Sequence, residues 1–131
     1  MVRAIVVAHG NLAVELLDTA RRVYGAFEGC VAVSNDEKSP VTLVEELEAI
    51  VDEEPDDDGC VLFVDFFGGS CCHACLRVGH QRSHVRVVTG VNLPMVVAFL
   101  YKRDEVPFDE LPREVVARGH ASVRTLNAEE C

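Results

Sequence analysis

A histidine at position 9, an aspartate at position 65 and a Gly68-Gly69-Ser70 turn are the residues whose types could do chemistry together in this chain. His9 opens the triplet His9-Gly10-Asn11 directly after the apolar run 4–8, and Asp65 directly follows another apolar run, 60–64. A carboxylate beside an imidazole accepts the proton on Nδ1 and holds the ring. It leaves Nε2 as an unprotonated nucleophile and stabilises positive charge on the ring. A glycine-rich turn at the start of a helix presents backbone N–H groups that can cradle phosphoryl oxygens, and its two glycines let the backbone come close. Combined, these parts describe a histidine that is transiently phosphorylated, a form of covalent nucleophilic catalysis. Each part alone is also a common structural device, since His and Asp at strand ends make local hydrogen bonds and Gly-Gly makes turns. Only their joint placement at one crevice points to function, so a structural polar cluster stays open at this level.

For these residues to meet, the elements that carry them must be neighbours. Residues 4–8, 29–34, 60–64 and 85–88 read as short strands. Between them lie segments of helical periodicity. Leu12, Leu16, Leu17, Ala20 and Val23 form the first stripe, with Gly25 as its stop. Ser39 as cap and Pro40 in the first turn open a second helix with Leu43, Val44, Leu47, Ile50 and Val51 on its inner face. Ser70 reads as the cap of a third, running from Cys71 to about His80, and Pro94 opens a fourth through Tyr101. Asp109 reads as the cap of a fifth, with Pro112 in its first turn and Gly119 ending it. Four alternations of strand and helix predict a small α/β three-layer sandwich with a four-stranded parallel sheet covered on both faces. In such sheets ligands sit beyond the carboxyl ends of the strands where strand order reverses. An order of 2-1-3-4 puts that reversal between the first and third strands, and His9 and Asp65 then face each other. The polar alternation at 122–126 suits a C-terminal edge strand, antiparallel in its own sheet or donated to a partner subunit.

A length of 131 residues is the scale of one domain, 1–131, and 49% hydrophobic with 26% charged residues is the balance of a globular protein. Twelve basic and 22 acidic residues give a net charge of −10. Nine of the acids fall in 44–58, a stretch without Lys or Arg that reads as a solvated helix face and loop. Phosphate backbones and anionic lipid heads require a basic surface, so nucleic-acid and membrane binding are excluded as expectations. No apolar run approaches the ~20 residues of a membrane-spanning helix, and residues 1–10 are too short for a signal peptide. The crowding of Cys71, Cys72 and Cys75 argues against a secreted disulfide framework and for a reducing cytosol, hence a cytoplasmic protein.

Three stretches carry a resemblance: IVVAHGNLA at 5–13, VLFVDFFGGS at 61–70 and VVTGVNLPM at 87–95. In order and spacing they resemble the enzyme IIA component of the mannose-class bacterial phosphotransferase system, and the likeness extends through VARGHASVRTL at 116–126. The resemblance implies a parallel sheet in 2-1-3-4 order with an extra strand exchanged in a homodimer. It implies that His9 is phosphorylated by the carrier protein HPr, that Asp65 orients it, and that the phosphoryl group passes to a histidine of an enzyme IIB component serving a sugar permease. No ATP, metal or other cofactor enters that scheme. Asn11, Gly69 and Ser70 would line the phosphate pocket, and Thr89, Gly90 and Asn92 would lie near its rim. With no IIB-like segment in this sequence, the acceptor is expected to be a separate protein or to exist no longer, and sugar import and a regulatory phosphoacceptor role both stay open. The phosphocarrier subunit of dihydroxyacetone kinases has a similar fold, but its histidine is usually followed by Ser and it lacks the Asp-x-x-Gly-Gly-Ser pattern.

One departure stands out. After Gly-Gly-Ser the family usually continues with Pro, a variable residue and Asn, whereas this chain reads Cys71-Cys72-His73. Cys71, Cys72, His73 and Cys75, with His80 or His84, suggest an alternative, a metal-binding or redox-sensing module in which a helix N-terminus lowers thiol pKa values. Small buried thiols filling a core are the simpler reading.

Overall fold

The computed structural model describes residues 1–54 and 58–130. Residues 55–57 of the acidic run, and Cys131, lie outside the described residues. Four strands, β1 (Arg3–Ala8), β2 (Cys30–Ser34), β3 (Cys60–Val64) and β4 (Val85–Thr89), form one parallel sheet in the order β2-β1-β3-β4. Five helices accompany them among the described residues: α1 (Leu12–Tyr24), α2 (Pro40–Asp52), α3 (Gly69–His80), α4 (Leu93–Lys102) and α5 (Leu111–Ala121). A 3-10 turn, Ala128–Glu130, ends the described chain.

The two central strands explain the topology. Every residue of β1 and β3 is buried, because both faces of a parallel sheet are covered. Ala4, Val6, Ala8, Val61 and Phe63 join one core with α1, α4 and α5. Ile5, Val7, Leu62 and Val64 join the other with α2 and α3. Phe63 meets Phe99 of α4 edge to face, ring centres 5.5 Å apart, an arrangement the aromatic quadrupole favours. Part of the acidic face is also used structurally. Glu48 and Asp52 of α2 hold Arg82, just beyond α3, at 3.1 and 2.7 Å, so these charges tie two helices together and are not merely solvated.

Local signals behave as physics dictates in α2 and α4. Ser39 accepts the Thr42 N–H at 3.1 Å, and Asn92 accepts the Met95 N–H at 3.0 Å, each satisfying one of the donors a helix start leaves open. Three expectations are corrected. Ser70 is not a cap: α3 begins at Gly69 with Gly68 as the capping residue, and Ser70 lies in the first turn. Asp109 does not cap α5, whose capping position is Glu110 without a side-chain bond. Asp109 instead pairs with Arg86 at 2.8 Å. Nor does Gly119 end α5. It is buried inside the helix, where a Cβ would lie 2.9 Å from Met95 Cε, so its role is close packing of α5 on α4. Within the single chain, 122–126 adds no strand to the described sheet. Ser122 is the cap of α5, and 123–127 carries no strand, with Val123 77% and Leu126 46% exposed.

Phe63 anchors the strand that carries Asp65. Phe63→Ala should cost about 3–5 kcal/mol of unfolding free energy through lost burial and a residual cavity. Urea denaturation measures this, and a loss below about 1 kcal/mol would contradict the packing described.

Candidate active site

His9 and Asp65 emerge from β1 and β3, which pair directly, Val7 beside Val64, so both side chains leave the sheet at the same carboxyl edge. This is where strand order reverses. Asp65 Oδ2 accepts two hydrogen bonds from His9, one from the backbone N–H at 2.9 Å and one from ring Nδ1 at 2.7 Å. Oδ1 accepts the Phe66 N–H at 3.0 Å, and the Asp65 N–H donates to Val7 O at 3.3 Å. Burial pushes the Asp65 carboxyl up, but the hydrogen bonds from His9 N–H, the His9 ring and Phe66 N–H together outweigh it. The group is held below the ordinary carboxylate range. An ionised Asp65 accepting from Nδ1 assigns the proton to that nitrogen and the lone pair to Nε2. The Asp65 side chain is 7% exposed and that of His9 42%, so the orienting group is shielded while the ring faces solvent.

The neighbourhood is tight. The Phe66 ring stacks on His9, centres 5.2 Å apart and 20° from parallel. At Gly69 a Cβ would lie 3.2 Å from the Phe66 ring and 4.0 Å from His9 Cε1, and its φ of +78° is itself in the region that favours glycine. Ser70 Oγ accepts the Asn35 amide at 3.1 Å, and the Asn35 backbone N–H donates to Ala8 O. Asn11 occupies the start of α1, exposed, with no capping bond from its side chain. Gly69 thus lies against the His9 ring, while Ser70 sits in the first turn of α3 and Asn11 at the start of α1. The loop after β4 is bonded to the end of the strand that carries Asp65. Asn92 caps α4 and donates to Gly90 O, and the Val91 N–H donates to Val64 O. A groove of about 570 Å³ between α1 and α4, lined in part by Val23, Tyr101 and Arg118, contains none of these side chains.

The cysteine-rich module is not assembled as expected. Cys71, Cys72 and Cys75 are buried in the core under α2 and α3, and His73 is exposed. Three successive helix positions cannot turn their donors to one point. Among the described residues the group whose donor atoms gather, all within 4.8 Å, is His9, Asp65 and Cys71. Nor is the Cys71 thiol lowered by its place in the first turn of α3. Burial, with the Asp65 charge beside it, pushes it up to about 11, and burial pushes Cys75 up as well. Among the site neighbours, Phe66 is one that spacing does not single out, whereas Asn35 reads from sequence as a strand-end residue and Cys71 as a member of the thiol cluster. Phe66 and Cys71 flank the motif directly, and Asn35 stands at the end of β2, the third strand end facing the crevice.

A family model described as "PTS system fructose IIA component" (EIIA-man) matches residues 3–116. The chain is 36% identical, over 98% of its length, to the mannose-specific EIIAB component of Escherichia coli K12, and spans 41% of that relative's length. It is 27% identical to the sorbose-specific EIIA component of Klebsiella pneumoniae, covering 89% of this chain and 86% of that one. A phosphotransferase-system EIIA structure from Streptococcus agalactiae shares the fold at a TM-score of 0.88 with 21% identity over all of both chains. The mannose/sorbose-specific IIA subunit from Enterococcus faecalis superposes at 0.84 with 25% identity, covering 95% of this chain and 94% of that one. No helix among the described residues is long and apolar enough to cross a membrane.

Because the Asp65 pKa is lower folded than unfolded, where ~3.9 is ordinary, its stabilising contribution is complete above the unfolded value. It is lost as pH falls through the folded one. Asp65→Asn should therefore lower the urea midpoint more at neutral pH than at about pH 2. Equal differences at both values would contradict the assignment.

Proposed function

The chain belongs to the mannose-class enzyme IIA family of the phosphotransferase system, and from that premise we propose that it is a phosphoryl carrier in which His9 Nε2 accepts the group from phospho-HPr. The observation that carries this reading is the double contact of Asp65 Oδ2 with the His9 backbone and Nδ1. In the transfer, the Nε2 lone pair forms the new N–P bond as the N–P bond to the carrier's imidazole breaks, and the carrier's ring leaves as the neutral base. The Nδ1 proton stays where it is, hydrogen-bonded to Asp65, so no proton has to move while His9 becomes positively charged. The carboxylate offsets that charge at 2.7 Å in a shielded setting.

Asn11, Gly69 and Ser70 are the proposed phosphate contacts. Gly68 and Gly69, both at positive φ, open a 12-residue helix whose N-terminus carries free N–H groups and a partial positive charge beside the ring. Ser70 reaches the phosphoryl oxygens with its N–H and hydroxyl, the latter steadied by Asn35. Such chemistry needs positioning and charge stabilisation, with no cofactor. The phosphoryl group then passes to a histidine of an enzyme IIB component that serves a sugar permease, or is used for regulation. The remaining proposals are a cytoplasmic location, a homodimer with exchange of 122–126 between subunits, and membrane contact only through the permease. The exposed Val123 and Leu126, in a segment that adds no strand to the described sheet, support the exchange.

Incubation with phosphoenolpyruvate, enzyme I and HPr should add one acid-labile phosphoryl group by intact mass, and His9→Ala should abolish it. Asp65→Asn should slow acceptance on the order of 10²–10⁴-fold, the range of a lost proton-positioning partner. No gain by the native protein in the presence of demonstrably phosphorylated HPr would overturn the proposal.

A further inference from the structure

Cys71 has no part in the transfer just described, yet its Sγ lies 3.7 Å from His9 Nδ1, the ring nitrogen that faces Asp65 Oδ2 at 2.7 Å. It stands where the family resemblance leads one to expect Pro, a residue without a donor, and it differs from Cys72 and Cys75 in reaching this ring. We propose that His9 Nδ1, Asp65 Oδ2 and Cys71 Sγ form a three-ligand site for a thiophilic divalent cation of the Zn²⁺ class, whose binding and the phosphorylation of His9 exclude each other. The second half of this statement rests on the phosphoryl-carrier reading; the first does not.

The donor set selects the cation. Thiolate and imidazole favour Zn²⁺ over Mg²⁺ or Ca²⁺, which take oxygen ligands. Tetrahedral bonds of about 2.0–2.3 Å place donors roughly 3.3–3.7 Å apart. The sulfur-to-nitrogen distance already has that value, and the three donors lie within 4.8 Å of one another. The short contact between His9 and Asp65 opens by roughly half an ångström when a cation replaces the proton between them.

Exclusion follows from the bookkeeping of one imidazole. Coordination uses the Nδ1 lone pair, so a neutral His9 then carries its proton on Nε2, where no lone pair remains to attack phosphorus. The Cys71 thiol proton passes to solvent, one proton per cation. Conversely, a phosphoryl group on Nε2 keeps the remaining proton on Nδ1, against Asp65, and closes the site to metal. The cation therefore competes with the phosphoryl group through the tautomer, without occupying the phosphate pocket.

Co²⁺ titration of the full chain under reducing conditions tests the site. One Co²⁺ per chain should bind with a thiolate-to-cobalt charge-transfer band in the near ultraviolet, removed by added Zn²⁺. Cys71→Ser and Cys71→Ala should each lose the band and at least about tenfold in affinity, as should His9→Ala, whereas Cys75→Ser should keep both. Absence of the band in the native protein, or its survival in both Cys71 variants, would overturn the site. Zn²⁺ should then block transfer from pre-phosphorylated HPr to the native protein, reversibly by chelator, and leave Cys71→Ser unaffected in the same mixture. Unblocked transfer at saturating Zn²⁺ would overturn the exclusion. A native protein that binds Co²⁺ but accepts no phosphoryl group without Zn²⁺ would overturn the carrier reading while leaving the metal site standing.

Discussion

Asp65 Oδ2 receives two N–H groups from the same residue, the backbone and the ring of His9, and the rest of the site depends on that double contact. A carboxylate in free solution would hold an imidazole loosely and in either tautomer. Here the backbone bond fixes where His9 starts and the ring bond fixes where it ends, so only one ring orientation remains. The contact exists because β1 and β3 are adjacent and parallel, in a register that brings Ala8 and Val64 to the same edge. That adjacency in turn requires two hydrophobic faces. Ile5 and Val7 point into one core, Val6 and Ala8 into the other, and neither strand survives without helices on both sides.

Much of this was legible in the chain itself. Continuous apolar runs followed by His9 and Asp65 identify buried parallel strands whose ends carry polar groups, because a strand covered on both faces leaves no room for alternation. The misreadings have equally physical causes. Ser70 has the chemistry of a cap, but Asn35, some 35 positions away in sequence, takes up its hydroxyl, and two left-handed glycines already turn the chain into α3. Gly119 reads as a helix stop by propensity, yet its missing side chain is what lets α5 lie against Met95. The alternation at 122–126 is real in sequence but has no strand beside it among the described residues.

The thiols show the limit of local rules most plainly. The first turn of a helix tends to acidify a cysteine, but Cys71 is fully buried and stands beside an ionised Asp65, and those two effects win. It is therefore a neutral thiol in the resting site, a far weaker acceptor than a thiolate, so the Nδ1 proton of His9 stays hydrogen-bonded to Asp65 Oδ2, the nearer and stronger acceptor. Phe66 adds an apolar wall against a face of the ring, and Gly69 makes room for it. A single imidazole is thus confined by a carboxylate, an aromatic face and a sulfur, with Nε2 as its outlet.

The central claim is that Asp65 sets the His9 tautomer, and long-range ¹H–¹⁵N NMR of the ring nitrogens tests it most directly. At a pH where the ring is neutral, native His9 should carry its proton on Nδ1, and Asp65→Asn should shift the population toward the Nε2–H form. A native ring protonated mainly on Nε2, or a tautomer unchanged by Asp65→Asn, would contradict the account.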